Sequence, residues 1–383
     1  MTLIPIDEYN RSEQAALTSA SNRYREAFAP SHFSSFGYPS RVVDENELYN
    51  FVDVMQERRF DYYFDSVLGA LTEEEFEKYR FLSSAVAELC KKRFGKPGCG
   101  KSAIAHSINV LRHIQFVTNN QSARVFEIGP GCGYLGALLT GSNYRYMSYD
   151  VTQAFYLYQN RLLSHLYGSR LVEVATGGLS GKHIEHLLSG EAGFLPAIHL
   201  PWWEAMRLPQ GHIPTVDIVT CNHVLCEMHY MSLSFMAKLC RLMLEGSSGP
   251  RLVVFEGWGW HATNRLSTVV GELYRHGFVL AHQDPHISVL ALRADVNAGQ
   301  FPEVGAAVDT HGINWSAGKC FVEEGVKPFD GPAIGRKLAE SRERLRSRQT
   351  VSKEIVRNHL VSLVGENGLT TEDEHFLNFI EHP

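Results

Sequence analysis

The clearest chemistry in this sequence lies in one short stretch, Glu127-Ile128-Gly129-Pro130-Gly131-Cys132-Gly133. Glycines fall at every second position between an apolar run and a helix-like run. Glycine permits positive φ and lets a ligand approach the backbone, and a following helix presents unpaired N–H groups at its start. Such a turn suits a nucleotide or a nucleoside. Gly131, Gly133 and Gly136 also satisfy G-x-G-x-x-G, the dinucleotide fingerprint, so the glycines alone do not choose the ligand. Asp150 closes the next apolar run, where a carboxylate can accept from ribose hydroxyls, and it does not choose either. Glu127 discriminates. A carboxylate inside a strand's end needs a partner; a cationic ammonium group would supply one, whereas a pyrophosphate would be repelled.

A second constellation follows the apolar run Val216–Cys221. Asn222 is placed to contact a cofactor or orient an acceptor. His223, with an ordinary pKa of about 6.5, can take a proton at neutral pH. Glu227 can orient His223 or touch a substrate; the competing reading makes it a helix-start residue favoured by the dipole. His229 and His261 are reserves. The spacing H-x-x-x-E-x-H over 223–229 sets His223 and Glu227 on one helical face, but His229 falls about 200° from Glu227. No metal centre is expected. In Pro201-Trp202-Trp203-Glu204, Trp202 can stack on a base or can simply pack the domain. Gln153 joins Asp150 as a cofactor candidate. Gly95–Ser102, GKPGCGKS, matches the phosphate-loop pattern, yet charged, helix-like residues precede it where a buried strand is required. It reads as a loop between helices.

The elements that must position these residues alternate. Strands are expected at Arg124–Ile128, Arg145–Asp150, Ala197–Leu200, Val216–Cys221 and Leu252–Glu256. Helices open at Tyr134, Thr152, Glu227 and Asn264. This is the pattern of a mostly parallel sheet with helices on both faces. Phe278–Ala281 and Ile287–Leu292 are joined by too few residues for a crossover, so they pair antiparallel. Residues 1–120 are expected to be mostly helical, with helices over Leu71–Phe94 and Ala103–Thr118. The divisions are a helical cap (1–120), a nucleotide-binding domain (121–295) and a loop and helical extension (296–383), helical from about Ala333 to Val361.

With E-x-G-x-G-x-G at 127–133, Asp150 and the closing hairpin, the stretch Arg124–Arg293 resembles class I S-adenosylmethionine-dependent methyltransferases. Tyr149–Gln159 and Thr220–Met228 are similar, more loosely, to a family labelled sugar O-methyltransferases. The resemblance implies an α/β, Rossmann-like, mostly parallel seven-stranded sheet ending in an antiparallel hairpin, with helical N-terminal and C-terminal extensions. It implies S-adenosyl-L-methionine held by Glu127, Gly129, Gly131, Gly133, Asp150, Gln153, Trp202 and Asn222. His223 and Glu227 become the catalytic candidates for O-methylation of a small-molecule or saccharide hydroxyl. The rival functions are an NAD(P)-dependent oxidoreductase and a degenerate methyltransferase fold serving as a binding or assembly partner.

Bulk properties agree. In 383 residues, hydrophobic types make up 44% and charged types 20%, as in an ordinary globular chain. A net charge of −6 argues against an electrostatic grip on nucleic acid or anionic membrane. No apolar run nears the roughly 20 residues of a membrane span. The start, MTLIPIDEYNRSEQ, shows no secretion signal. Seven scattered cysteines suit reduced thiols in a cytoplasm. The oligomeric state is open, a homo-oligomer included.

Overall fold

The computed structural model describes residues 3–22, 40–54, 60–190, 194–259, 264–283, 287–297, 313–316, 319–322 and 350–370. Its centre is a mixed sheet of eight strands. These are β1 (Arg124–Ile128), β2 (Arg145–Asp150), β3 (Leu171–Glu173), β4 (Ala197–Pro201), β5 (Ile218–Thr220), β6 (Leu252–Phe255), β7 (Phe278–Gln283) and β8 (Ser288–Leu292). Their order is β3-β4-β2-β1-β5-β6-β8-β7. Pairing is parallel from β3 through β6. β8 then runs antiparallel to both β6 and β7. The Rossmann-like sheet and its closing hairpin are as expected, but the strand count is eight rather than seven. The extra strand, β3, is a three-residue edge strand with only Leu171 buried, too short and too exposed to leave a periodic signal.

The chain order reverses beside β1, because β2 and β5 flank it on opposite sides. In open α/β sheets ligands bind outside the carboxyl ends of the strands at such a point. Helices α4 (Tyr134–Gly141), α5 (Gln153–Tyr167), α6 (Gly181–Ser189), α7 (Trp202–Arg207), α8 (Tyr230–Glu245) and α9 (Leu266–Arg275) connect the strands. The expected helix from Glu227 starts at Tyr230 instead. Residues 222–227 form turns, and His229 caps the helix by accepting from Met231 N at 3.2 Å.

The helices before the sheet are fused to it by one hydrophobic core running from Ile4 to Leu360. α2 (Glu73–Phe94) begins with a capping box, Thr72 and Glu75 satisfying each other's backbone N–H. α3 (Lys101–Val117) packs against α2, α4 and β6. Buried Arg112 fixes α3 to α2 through a two-pronged contact with Glu75, at 2.8 and 2.9 Å. At the other edge, α1 (Ile6–Ser19) lies on α5 and α7, with the Tyr9 ring 5.0 Å from Tyr156 and 5.1 Å from Trp203. The C-terminal helix, α10 (Lys353–Thr370), rests on α2. Of the helix expected from Ala333 to Val361, residues 333–349 lie outside the described ones.

The phosphate-loop pattern sits between two helices. Gly95 ends α2 at φ 66°. At the start of α3, the Asp53 carboxylate accepts from Ser102 N and Ala103 N at 3.2 and 2.9 Å. A carboxylate thus holds the place a phosphate would need, and Lys101 Nζ donates to Leu369 O at 2.8 Å.

Candidate active site

The turn between β1 and α4 takes the left-handed backbone its glycines permit, with φ 62° at Gly129, 56° at Gly131 and 79° at Gly133. Each glycine meets something different. A Cβ on Gly129 would stand 2.6 Å from Val224 Cγ2, so the loop after β5 closes directly on the turn. A Cβ on Gly131 would meet nothing within 4 Å, so this backbone faces open space. A Cβ on Gly136 would lie 2.3 Å from the Tyr146 ring. The last glycine of the fingerprint therefore serves helix-to-strand packing.

That packing matters because Tyr146 answers Glu127. Its hydroxyl donates to Glu127 Oε2 at 2.6 Å, so the partner demanded by the buried carboxylate is present within the chain. Burial raises the Glu127 pKa to about 8, and the nearby Asp150 charge adds to this; the bonds from Tyr146 and Asn222 oppose it. Asp150, also buried, is pushed up to about 6 by burial, against bonds from Thr152 and Gln159. Its two oxygens accept from Thr152 N and Gln159 Nε2, each at 2.8 Å.

Gln159 carried no signal in the sequence, yet it joins both halves of the nucleoside site. Its Nε2 also donates to Gly131 O at 2.7 Å, and its Oε1 meets His199 Nε2 at 2.8 Å. The His199 imidazole is fully buried and stacks on Tyr156 at 3.7 Å. One turn of α5 thus braces the glycine turn, Asp150 and β4 together.

Two sequence candidates point elsewhere. Gln153 is buried against the N-terminal segment, accepting from Val42 N at 2.8 Å and donating to Asn10 Oδ1 at 2.7 Å. Trp202, 1% exposed, donates through Nε1 to Glu13 at 3.2 Å. Both side chains dock α1 and the segment after it, so the structure does not bring them to the glycine turn. Trp203 packs beside Trp202 in an edge-to-face pair.

On the other side of β1, Asn222 ties two strand ends together. It donates to Thr220 Oγ1 at 3.1 Å and accepts from Glu256 N at 2.9 Å. His223 adopts φ 55°, uncommon outside glycine, and its N–H lies between the carbonyls of Glu256 and Gly257 at 3.0 and 3.1 Å. Gly257 makes room for the imidazole, since a Cβ there would lie 2.1 Å from the ring. Glu227 sits in the turn, its N–H on Val224 O at 3.0 Å. The helical-face relation between His223 and Glu227 therefore does not apply. His229 is the α8 cap, and His261 lies outside the described residues.

Two further residues crowd His223. The His106 ring, on α3, is 5.3 Å from the His223 ring. Its Nε2 is 3.6 Å from Glu256 Oε2, and Asn109, one turn along, donates to that same oxygen at 2.7 Å. Sequence reasoning placed Glu256 at the carboxyl edge but missed His106, which belongs to no motif and reaches the site only through helix packing.

No family model matches the chain, and no curated protein matches it. Solved structures similar to it include ribosomal protein L11 methylase from Lactobacillus delbrueckii subsp. bulgaricus, at 10% identity over 52% of this chain and 82% of that one, with a TM-score of 0.32. Another is magnesium protoporphyrin IX methyltransferase from Synechocystis PCC 6803 with bound SAM, at 12% identity over 57% and 95%, TM-score 0.30. A third is the pyocyanin biosynthetic protein PhzM, at 14% identity over 61% and 72%, TM-score 0.31. Overlaps this low add no weight to the strand order and side-chain geometry described above.

Proposed function

We propose that this chain binds S-adenosylmethionine at the β1 turn and transfers its methyl group to a hydroxyl of a small molecule or saccharide. The observation that carries the reading is the pair of buried acids framing a left-handed glycine turn. Glu127 is the penultimate residue of β1, Asp150 ends β2, and Gly131 between them faces open space. The donor set suits a cationic nucleoside. The Asp150 oxygens accept from Thr152 N and Gln159 Nε2, and a carboxylate oxygen can accept more than one bond, so ribose hydroxyls can add to these. Glu127, raised to about 8 by burial, would be drawn toward its charged form by a nearby cation, whereas a pyrophosphate would gain nothing from it. This favours the sulfonium compound over NAD(P).

When bound, the cofactor supplies an electrophilic methyl carbon. The remaining work is positioning and proton removal. Gln159 holds the glycine turn and Asp150 in register. Asn222 holds the ends of β5 and β6 together. His223, presented by its left-handed turn beside Val224, is the proposed acceptor of the hydroxyl proton, with Glu227 nearby in the same turn.

Calorimetry with S-adenosylmethionine, S-adenosylhomocysteine and NAD(P) tests the reading. Binding of the two sulfur nucleosides without NAD(P) supports it. Tight NAD(P) binding alone replaces it with an oxidoreductase, and binding of neither class leaves an assembly role. A metabolite screen for a mass gain of one methyl group then identifies the acceptor.

A further inference from the structure

We propose that His106, His223 and Glu256 hold a divalent transition-metal ion, with zinc the best match, at the carboxyl ends of β5 and β6. Each residue offers one ligand atom, and the three atoms lie within 4.8 Å of one another. Two imidazoles and a carboxylate form a standard three-ligand zinc set, with bonds of about 2.0–2.2 Å. Ligand atoms on such a tetrahedral ion are roughly 3.4 Å apart. The His106 Nε2 to Glu256 Oε2 distance, 3.6 Å, is already close to that value. Binding would draw the third ligand atom, now within 4.8 Å of the other two, in toward that spacing.

The surroundings are built to hold these groups. Glu256 is buried, and Asn109 Nδ2 donates to its Oε2 at 2.7 Å. Carboxylate ligands are usually oriented by such outer partners. The Glu256 backbone is clamped at both ends: its N–H donates to Asn222 Oδ1 and its carbonyl accepts from His223 N. Two of the three ligands therefore share one backbone clamp. The left-handed φ of His223 and the missing Cβ of Gly257 put the imidazole in place at a conformational cost that tertiary contacts must repay. The Tyr63 ring lies 5.2 Å from the His106 ring and backs it. Softer or harder sets would choose other ions, but nitrogen-rich sites with one carboxylate disfavour magnesium and calcium.

Three protein ligands leave a coordination position for water or for an acceptor oxygen. Val224, the neighbour of His223, touches the glycine turn, so the ion lies beside the proposed methyl-donor site. In the loaded protein His223 would be a ligand rather than the base, and a hydroxyl on the open position would be acidified by the metal and would pass its proton to solvent water. Metal binding itself does not depend on methyl transfer, so each can fail without the other.

The test uses the full chain stripped with chelator. Calorimetric titration with Zn²⁺ should show one site per chain, and Co²⁺ should give visible absorption. His106→Ala and Glu256→Gln should each weaken zinc binding at least about 10-fold, and Asn109→Ala by a similar factor, while the exposed His183→Ala should not change it. Absent binding by the unaltered protein, or unchanged affinity in the ligand variants, overturns the proposal. Should the variants unfold, diethylpyrocarbonate labelling of the unaltered protein decides. Zinc should slow modification of His106 and His223 specifically; equal rates with and without zinc refute the site.

Discussion

The two sides of β1 solve the same problem by different means. On the β2 side, buried polar groups are answered by residues nearby in the chain: Glu127 by Tyr146, Asp150 by Thr152 and Gln159. The result is a rigid cradle braced by one helix. On the β5 side, His223 and Glu227 sit in turns, and the groups facing His223 come from α3, far upstream, and from the end of β6. The cradle is local and preformed. The opposite side gains His106 and Asn109 only when α3 is docked on the sheet.

This contrast can be tested, and the largest effect is expected on the β5 side. In metal-free protein, where the imidazole is the base, His223→Ala should lower turnover by about 10²–10⁴-fold, the usual range for a lost proton-transfer group, with cofactor affinity nearly kept. A matching loss of affinity would mean that the two sides do not divide the work. In the cradle, Gly136→Ala should destabilise the fold by about 1–3 kcal/mol, because the new methyl meets the Tyr146 ring. Chemical denaturation measures this, and an unchanged midpoint would show that the helix can shift away.

Asp150→Ala should weaken cofactor binding by roughly 1–3 kcal/mol, the scale of lost charged hydrogen bonds, as read by calorimetry. The cradle also predicts a pH dependence. Glu127 binds its proton more tightly in the folded chain, so the neutral acid is favoured by folding. Its contribution is fully present below its ordinary 4.5 and is lost as pH rises through about 8. Asp150 acts the same way between 3.8 and about 6. The melting temperature of ligand-free protein should fall across these windows, and Glu127→Gln should flatten the upper part. A slope untouched by that substitution would show the carboxyl to be ionised throughout. The smallest effect belongs to Lys101→Ala, which loses one bond to a carbonyl and should cost no more than about 1 kcal/mol. Added ATP should not stabilise either protein; if it protects only the unaltered one, the loop between α2 and α3 binds phosphate after all.

The sequence was most legible where a pattern is local. Glycine spacing set the β1 turn, apolar runs set β1 and β2 to the residue, and the brief link after Phe278 set the antiparallel hairpin. Those features depend on backbone stereochemistry and on neighbours a few residues away. Edge strand β3 escaped because it buries little, and the start of α8 moved from the expected Glu227 to Tyr230 because His229 caps it.

Tertiary structure alone decided how the side chains are used. Trp202 and Gln153 lie beside cofactor-type strand ends in sequence, yet α1 occupies them. Gln159 looks like any helix residue until Gly131, Asp150 and His199 converge on its amide. His106 faces Glu256 because α3 packs against α4 and β6 over the sheet. Local propensity fixes the path of the backbone, whereas the partner of a buried polar group is whichever element packing brings within about 3 Å, and no spacing along the chain encodes that meeting.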